Sequence, residues 1–231
     1  MRALKTLTGL ALAPAALAAA WATAAALGPA LGKFSATLPL LAGALASLAF
    51  HSMGRGGRLY VTAHELTHAL AALLTGIKVR KISVRKNSGY VLLDSTNAFI
   101  SLAPYFIPFY TLAVSAAYWA AGRFWDLSPY RAWFLAAAGF TLAFHLLHTA
   151  DTLAGPVQSD LRKAGGPVFS LPLLVLLNCL GLAAALKLLF PELLSLKAYG
   201  AELLQTQRTV YGALYKAALH LANTAKIYLS A

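Results

Sequence analysis

The chain has 231 residues, of which 59% are hydrophobic and only 11% are charged. A soluble domain usually carries about 25% charged residues, so this composition indicates a protein that lies in lipid. The formal net charge is +12, but the basic residues lie mostly between apolar segments, which argues against nucleic acid as a partner. The only cysteine, Cys179, excludes an internal disulfide and a multi-cysteine zinc knuckle, and we expect it to be a buried small hydrophobe.

The predicted elements are mainly helices long enough to cross a hydrocarbon core of about 30 Å. Residues 7–31 form a first span, because their apolar run is longer than that of a typical signal peptide. Residues 36–53 span or re-enter the membrane, and 59–76 form a helix that ends at Gly76. Three later spans are predicted, at residues 97–121, 132–150 and 168–189. The first of these three contains Pro104 and Pro108, which neighbouring helices can accommodate.

A different pattern follows the helix at 59–76. From residue 77 to residue 94, β-branched and aromatic residues alternate with basic and polar ones, and Asn87, Ser88 and Gly89 supply a turn. This pattern predicts a basic β-hairpin.

The predicted fold class is therefore an all-α membrane protein, a polytopic bundle of about five to six transmembrane helices with one small β-hairpin. We expect N-terminal membrane segments at 1–57, a core at 58–190 that includes the hairpin 77–94, and a helical tail at 191–231. From Tyr199 onward the tail is amphipathic. It suits a helix at the membrane interface and equally suits one more packed helix of the bundle.

The residues that carry chemistry are His64, Glu65 and His68, which fit the pattern His-Glu-x-x-His in a predicted helix. Histidines four residues apart lie on one helix face, so both imidazoles can bind one zinc ion. Glu65 is the candidate base for a water molecule that the metal activates. A carboxylate and two histidines are costly in a membrane unless they are paired or bind metal. The alternative is a hydrogen-bonded polar cluster between helices.

A catalytic zinc site usually has three protein ligands, so a third must come from elsewhere in the chain. Most other acidic and histidine residues are expected at solvated loops, helix ends or the tail. The candidates that remain are His51, His145, His148, Asp151 and Asp160. On residue type and position alone, Asp151 and Asp160 are nearly equal candidates, and His145, His148 and Asp151 could share one helix face as ligands or as packing residues.

The sequence also resembles the site-2 protease family of intramembrane zinc metalloproteases. The resemblance rests on AHELTHALAALLTG at residues 63–76, SGY at 88–90, LAPYFIP at 102–108 and QSDLR at 158–162. It implies that His64, His68 and Asp160 bind one zinc ion per chain, that Glu65 activates water, and that the hairpin holds substrate in extended form. The family's usual Asp-Gly pair after Asn and Pro is absent here, because Leu161 follows Asp160, and Thr67 replaces a Gly common in the first motif.

The expected function is hydrolysis of peptide bonds in membrane-embedded substrates by a zinc metalloendopeptidase. The expected partners are a transmembrane protein substrate and the lipid bilayer, and the expected location is a bacterial inner membrane, as a multi-pass protein. The alternatives are a catalytically degenerate binding protein, a metal carrier that uses the same residues, and a zinc hydrolase with a non-peptide substrate.

Overall fold

A computed structural model describes residues 2–85 and 88–230 of the chain. In chain order the helices are α1 (Arg2–Gly32), α2 (Phe34–Ser52), α3 (Gly57–Leu74), α4 (Ala98–Leu102), α5 (Phe109–Ala121), α6 (Arg131–Ala154), α7 (Ser159–Ala164), α8 (Pro167–Leu189) and α9 (Leu196–Ser230). Strands β1 (Val79–Val84) and β2 (Gly89–Leu93) lie between α3 and α4, and 3₁₀ turns occur at Ala103–Tyr105 and Ser128–Tyr130. The predicted class, an all-α membrane protein with one small hairpin, is confirmed.

Four of the described helices are long and apolar enough to cross a membrane, and a fifth span results if a bent pair is counted as one. The four cover Ala3–Gly28, Phe34–Ser52, Ser128–Ala154 and Pro167–Leu189. The bent pair is Ala98–Tyr105 with Phe109–Ala121, which turn by 78° at the break. The break falls where the sequence places Pro104 and Pro108, since proline cannot donate a backbone hydrogen bond.

The chain divides into two compact units, one made of Met1–Ala30 with Leu171–Ala231 and the other of Leu31–Ser170. In the first unit, α9 runs antiparallel to α1. The hydroxyl of Tyr211 donates to the carbonyl of Ala11 at 2.6 Å, and the hydroxyls of Tyr199 and Thr23 are 3.0 Å apart. The first half of α9 therefore contacts α1.

The second unit contains the predicted functional residues, and the pairing of α2 with α6 is its most extensive helix contact. A side chain at Gly43 would overlap the backbone of Ala136, and one at Gly139 would overlap the backbone of Leu40. These two glycines let the helix backbones touch, which is how helices pack closely in membranes.

The start and the end of α3 are both set by glycine. Gly56 precedes the helix with φ +99°, and a side chain there would meet Phe50, Phe144 and His148 at 2.7 to 3.0 Å. Gly76 follows the helix with φ +72°, and the N–H of Ile77 donates to the carbonyl of Ala72 at 2.8 Å. This is a Schellman-type helix end, as the sequence predicts.

The hairpin is antiparallel and pairs Val79 with Leu93 and Val84 with Gly89, with an irregularity between Val79 and Lys81. At its turn, Lys86 and Asn87 lie outside the described residues. A small apolar core holds the hairpin against α3 and α4. It consists of buried Ala71, Ala72, Ile100 and Ala103, with Ile77, Val79, Leu93, Phe106 and Ile107 packed around them.

Candidate metal centre

The candidate centre begins on α3, where His64 and His68 lie one helical turn apart. Their ring centroids are 4.8 Å apart and the ring planes meet at 82°, edge to face. Glu65 lies beside them and is buried, with 6% of its surface exposed. A carboxylate and two imidazoles are thus presented together by a single helix.

Asp160 reaches the same place from α7, a short helix that follows the break at Gly155 and Pro156. Its Oδ2 lies 3.4 Å from Nε2 of His64 and 3.5 Å from Nε2 of His68. The candidate ligand atoms of the three residues all lie within 4.8 Å of one another. Among the described residues, no other group of three such side chains converges in this way. We call His64, His68 and Asp160 the metal group.

The metal group has the donor types that zinc prefers, and its two carboxylate–imidazole separations fit zinc. Zinc binds imidazole nitrogen and carboxylate oxygen at about 2.0–2.2 Å, so two ligand atoms of a tetrahedral site are about 3.4 Å apart. The distances from Asp160 to the two histidines, 3.4 and 3.5 Å, agree with that separation. With these three residues as ligands, a zinc ion would keep a fourth position open, which is the arrangement of catalytic rather than structural zinc.

Hydrogen bonds orient part of this group. Nδ1 of His68 is 2.8 Å from the carbonyl oxygen of Ile100, and because a carbonyl only accepts, this nitrogen carries the proton. Nε2 of His68 therefore keeps its lone pair for a metal. Nδ1 of His64, in contrast, is buried and has no hydrogen-bond partner among the described residues.

The carboxylate of Asp160 is held on both oxygens. The Tyr105 hydroxyl donates to Oδ2 at 3.2 Å, and the ammonium of Lys163 lies 3.8 Å from Oδ1. Burial opposes ionisation of Asp160, but the two imidazoles that face it, His64 and His68, outweigh it and hold the pKa of this carboxyl below its usual range. The charged form, which is the form that binds metal, is thus the favoured one.

A cavity of about 460 Å³ opens beside the metal group. Its lining includes Glu65 and every residue of β2. The first residue of β2 packs directly on the carboxylate, since a side chain at Gly89 would come within 2.6 to 2.9 Å of the Glu65 side chain. Strand β2, the Glu65 carboxylate and the metal group therefore all border the same cavity.

The other candidate third ligands lie elsewhere. Asp151 is on α6, which ends at Ala154, directly before Gly155 and Pro156. Its Oδ2 is 3.0 Å from Nε2 of His51, and the ring of His148 meets that of His51 edge to face at 4.7 Å. We call His51, His148 and Asp151 the His51 cluster. His145 is buried on α6 and lines a small cavity next to His64, outside the metal group.

Sequence reasoning missed the groups that support the metal group. Nothing in the sequence pairs Ile100 with His68, because a backbone carbonyl has no sequence signature. Tyr105 was noted only as part of a family-like segment, although a phenol in an apolar run beside proline is itself a signal for a buried hydrogen bond. Lys163 and Tyr60 gave no signal at all. Tyr60 stacks on His148 at 5.2 Å and lies 5.7 Å from the ring of His64.

The bundle of apolar helices and the His-Glu-x-x-His centre define a class, that of membrane proteins built like metallopeptidases. A family model described as Peptidase M50B-like matches residues 39–157, which is about half of the chain. The chain belongs to the site-2 protease (M50) family. No curated protein and no solved structure is similar enough to match.

Family membership carries two general consequences. The chain is an integral membrane protein of a protease family, and the peptidases of this family are generally zinc metalloproteases. The matched region contains His64, Glu65 and His68 but ends three residues before Asp160. The assignment of Asp160 therefore depends on its position in the structure.

Proposed function

We propose that the protein is an intramembrane zinc metalloprotease that hydrolyses peptide bonds of transmembrane substrates within a bacterial inner membrane. The observation that carries the proposal is the convergence of His64, His68 and Asp160 beside a buried glutamate and an open cavity. His64, His68 and Asp160 would hold one zinc ion, because they offer two imidazole nitrogens and one carboxylate oxygen at suitable separations.

The chemistry is shared between the metal and Glu65. A zinc ion held there would supply Lewis acidity, which would polarise the scissile carbonyl and acidify water near neutral pH. The carboxylate of Glu65 would take a proton from the water whose oxygen adds to the carbonyl carbon, and would deliver it to the amide nitrogen as the C–N bond breaks. Because Glu65 lines the cavity and is not one of the three ligand residues, it is free for this role.

Strand β2 would hold the substrate. The described part of the chain contains a two-stranded sheet in which β2 pairs only with β1, and all five residues of β2 line the cavity. An extended peptide can add to such a strand through main-chain hydrogen bonds. A transmembrane helix must unwind before its carbonyls become accessible, so strand pairing beside the metal group would stabilise the unwound form.

The test is the substitution Glu65→Gln, which keeps the size of the side chain and removes its basicity. Purified wild type and variant are reconstituted in proteoliposomes with a panel of single-span proteins whose helices contain Gly, Pro or Asn. We expect both proteins to contain one zinc and the variant to cleave about 10²–10⁴-fold more slowly, the usual contribution of general acid–base catalysis.

The matched control is Glu192→Gln, the same change at an exposed glutamate, which is expected to cleave like wild type. Equal cleavage by the Glu65 variant would overturn the assigned mechanism. A wild-type protein that binds one zinc tightly but cleaves no member of the panel would instead favour a degenerate binding protein, and zinc flux into the vesicles would favour a carrier.

A further inference from the structure

The bent segment, which consists of α4 and the 3₁₀ turn Ala103–Tyr105, lies against the metal group and contains Pro104 and Tyr105. α4 ends at Leu102 and continues as the 3₁₀ turn Ala103–Tyr105 before the chain turns by 78°. Ile100, Ala103 and Tyr105 are each at most 1% exposed. These side chains therefore face the protein interior. The residues of this segment that line the cavity beside Glu65 are Ile100 and Ser101.

Pro104 leaves the carbonyl of Ile100, in α4, without a backbone N–H donor. In a continuous helix the carbonyl of Ile100 would accept from the N–H of residue 104, but proline has no N–H. The same carbonyl accepts instead from Nδ1 of His68 at 2.8 Å. Asn97 fixes this turn from the other end, since its side chain accepts from the N–H of Ile100 at 2.9 Å. The missing donor of Pro104 thus gives His68 a partner that fixes its tautomer and its ring orientation.

Tyr105, the next residue, supports a second ligand. Its hydroxyl donates to Oδ2 of Asp160 at 3.2 Å, and this is the oxygen that faces both histidines. Its ring also meets that of His64 edge to face, with centroids 5.2 Å apart. A rigid buried phenol is more effective than Lys163 in fixing the carboxylate, because the lysine side chain is 57% exposed and its ammonium lies 3.8 Å from Oδ1.

We propose that Pro104 and Tyr105 are positioning residues of the metal centre: Pro104 orients His68 through the freed carbonyl of Ile100, and Tyr105 orients Asp160. The break in the bent helix pair then orients two of the proposed ligands, His68 and Asp160, through groups that do not bind the metal themselves. This inference rests on the metal-binding part of the proposed function and concerns how firmly the ion is held. Outer partners of metal ligands typically contribute about 10–100-fold in affinity.

The test measures metal affinity and requires no substrate. Zinc dissociation constants of purified wild type, Tyr105→Phe and Pro104→Ala are determined by competition with a chromophoric chelator, and the visible spectra of the Co²⁺-loaded proteins are recorded. We expect each variant to bind zinc about 10–100-fold more weakly, with shifted Co²⁺ bands because a ligand has turned. Circular dichroism and thermal unfolding show whether each variant is folded.

Two substitutions control for the chemical change itself. Tyr118→Phe removes a phenol that donates to the carbonyl of Leu127, and Pro172→Ala removes a proline from the interior of α8. Both are expected to retain wild-type affinity and Co²⁺ spectrum. If folded Tyr105→Phe and Pro104→Ala bind zinc as tightly as wild type, the inference is wrong while the proposed function stands. If wild type itself binds no zinc, the metal-binding part of the proposed function is wrong.

Discussion

The metal group and the His51 cluster use the same residue types with almost the same local geometry. Each contains two histidines whose rings meet edge to face at 82°, with centroids 4.8 Å apart in one and 4.7 Å in the other, and each contains an aspartate. They differ in how the carboxylate is placed. The Asp160 side chain is 16% exposed and faces both histidines, whereas the Asp151 side chain is 66% exposed and pairs with His51 alone.

This difference distinguishes the proposed metal site from a polar contact between helices. Both groups draw their three residues from two elements, but in the metal group the Tyr105 hydroxyl and the Ile100 carbonyl also orient Asp160 and His68. In the His51 cluster, His148 stacks on Tyr60 instead of facing the carboxylate. Proximity of histidine and aspartate is therefore shared by both clusters, and convergence on one carboxylate oxygen with buried supporting partners is the feature on which we base the proposed zinc site.

The largest expected effect separates the two aspartates. We expect Asp160→Ala to weaken zinc binding by more than about 100-fold, because loss of a ligand should exceed the loss of an outer partner. Asp151→Ala should retain one tightly bound zinc. Metal analysis after equilibrium dialysis against a chelator measures both. Equal loss of zinc from the two variants would remove the distinction between the clusters.

An intermediate effect is expected at Gly89, where strand β2 packs on the carboxylate that we propose to be catalytic, Glu65. An alanine there would collide with the buried Glu65 side chain, and a displacement of about 1 Å can reduce a rate about 100-fold. We expect Gly89→Ala to keep its zinc and to cleave about 10–100-fold more slowly. Gly57→Ala, where a side chain meets open space, is the control, and normal cleavage by the Gly89 variant would contradict the role of this contact.

The smallest expected effect is at His51. Because one partner of the His51–Asp151 ion pair is largely exposed, we expect the pair to contribute little, so that His51→Ala reduces the free energy of unfolding by about 1 kcal/mol or less. Zinc content should not change. Thermal unfolding followed by circular dichroism, with metal analysis on the same sample, measures both quantities. A loss of bound zinc would show that the His51 cluster takes part in metal binding after all.

Much of the fold could be predicted from the sequence because it depends on local signals. Apolar runs, Gly76 and the alternating pattern at 77–94 predict helices, a helix end and a hairpin, and each is present. The positions of His64, Glu65 and His68 relative to one another follow from helix periodicity alone. The choice between Asp151 and Asp160 could not follow from residue type, because it depends on where α6 ends and on how the short α7 packs against α4.

The contacts that orient His68 and Asp160 could not be predicted from the sequence, for a different reason. The Ile100 carbonyl and the Tyr105 hydroxyl act across 32 and 55 residues of chain, and one of them is a backbone atom that every residue type possesses. Such contacts are set by tertiary packing. A proline that interrupts an apolar helix is visible in the sequence, however, and directs attention to the carbonyl one turn earlier.

The left-handed glycine before α3 has a rotational consequence. Gly56 is enclosed by Phe50, Phe144 and His148, so the start of α3 is fixed in position. The direction in which each later side chain of α3 points is set by its distance along the sequence from this start. Each residue advances a helix by about 100°. One residue inserted between Gly57 and Ala63 would swing both imidazoles through that angle, and they would point away from Asp160 although no ligand had been replaced.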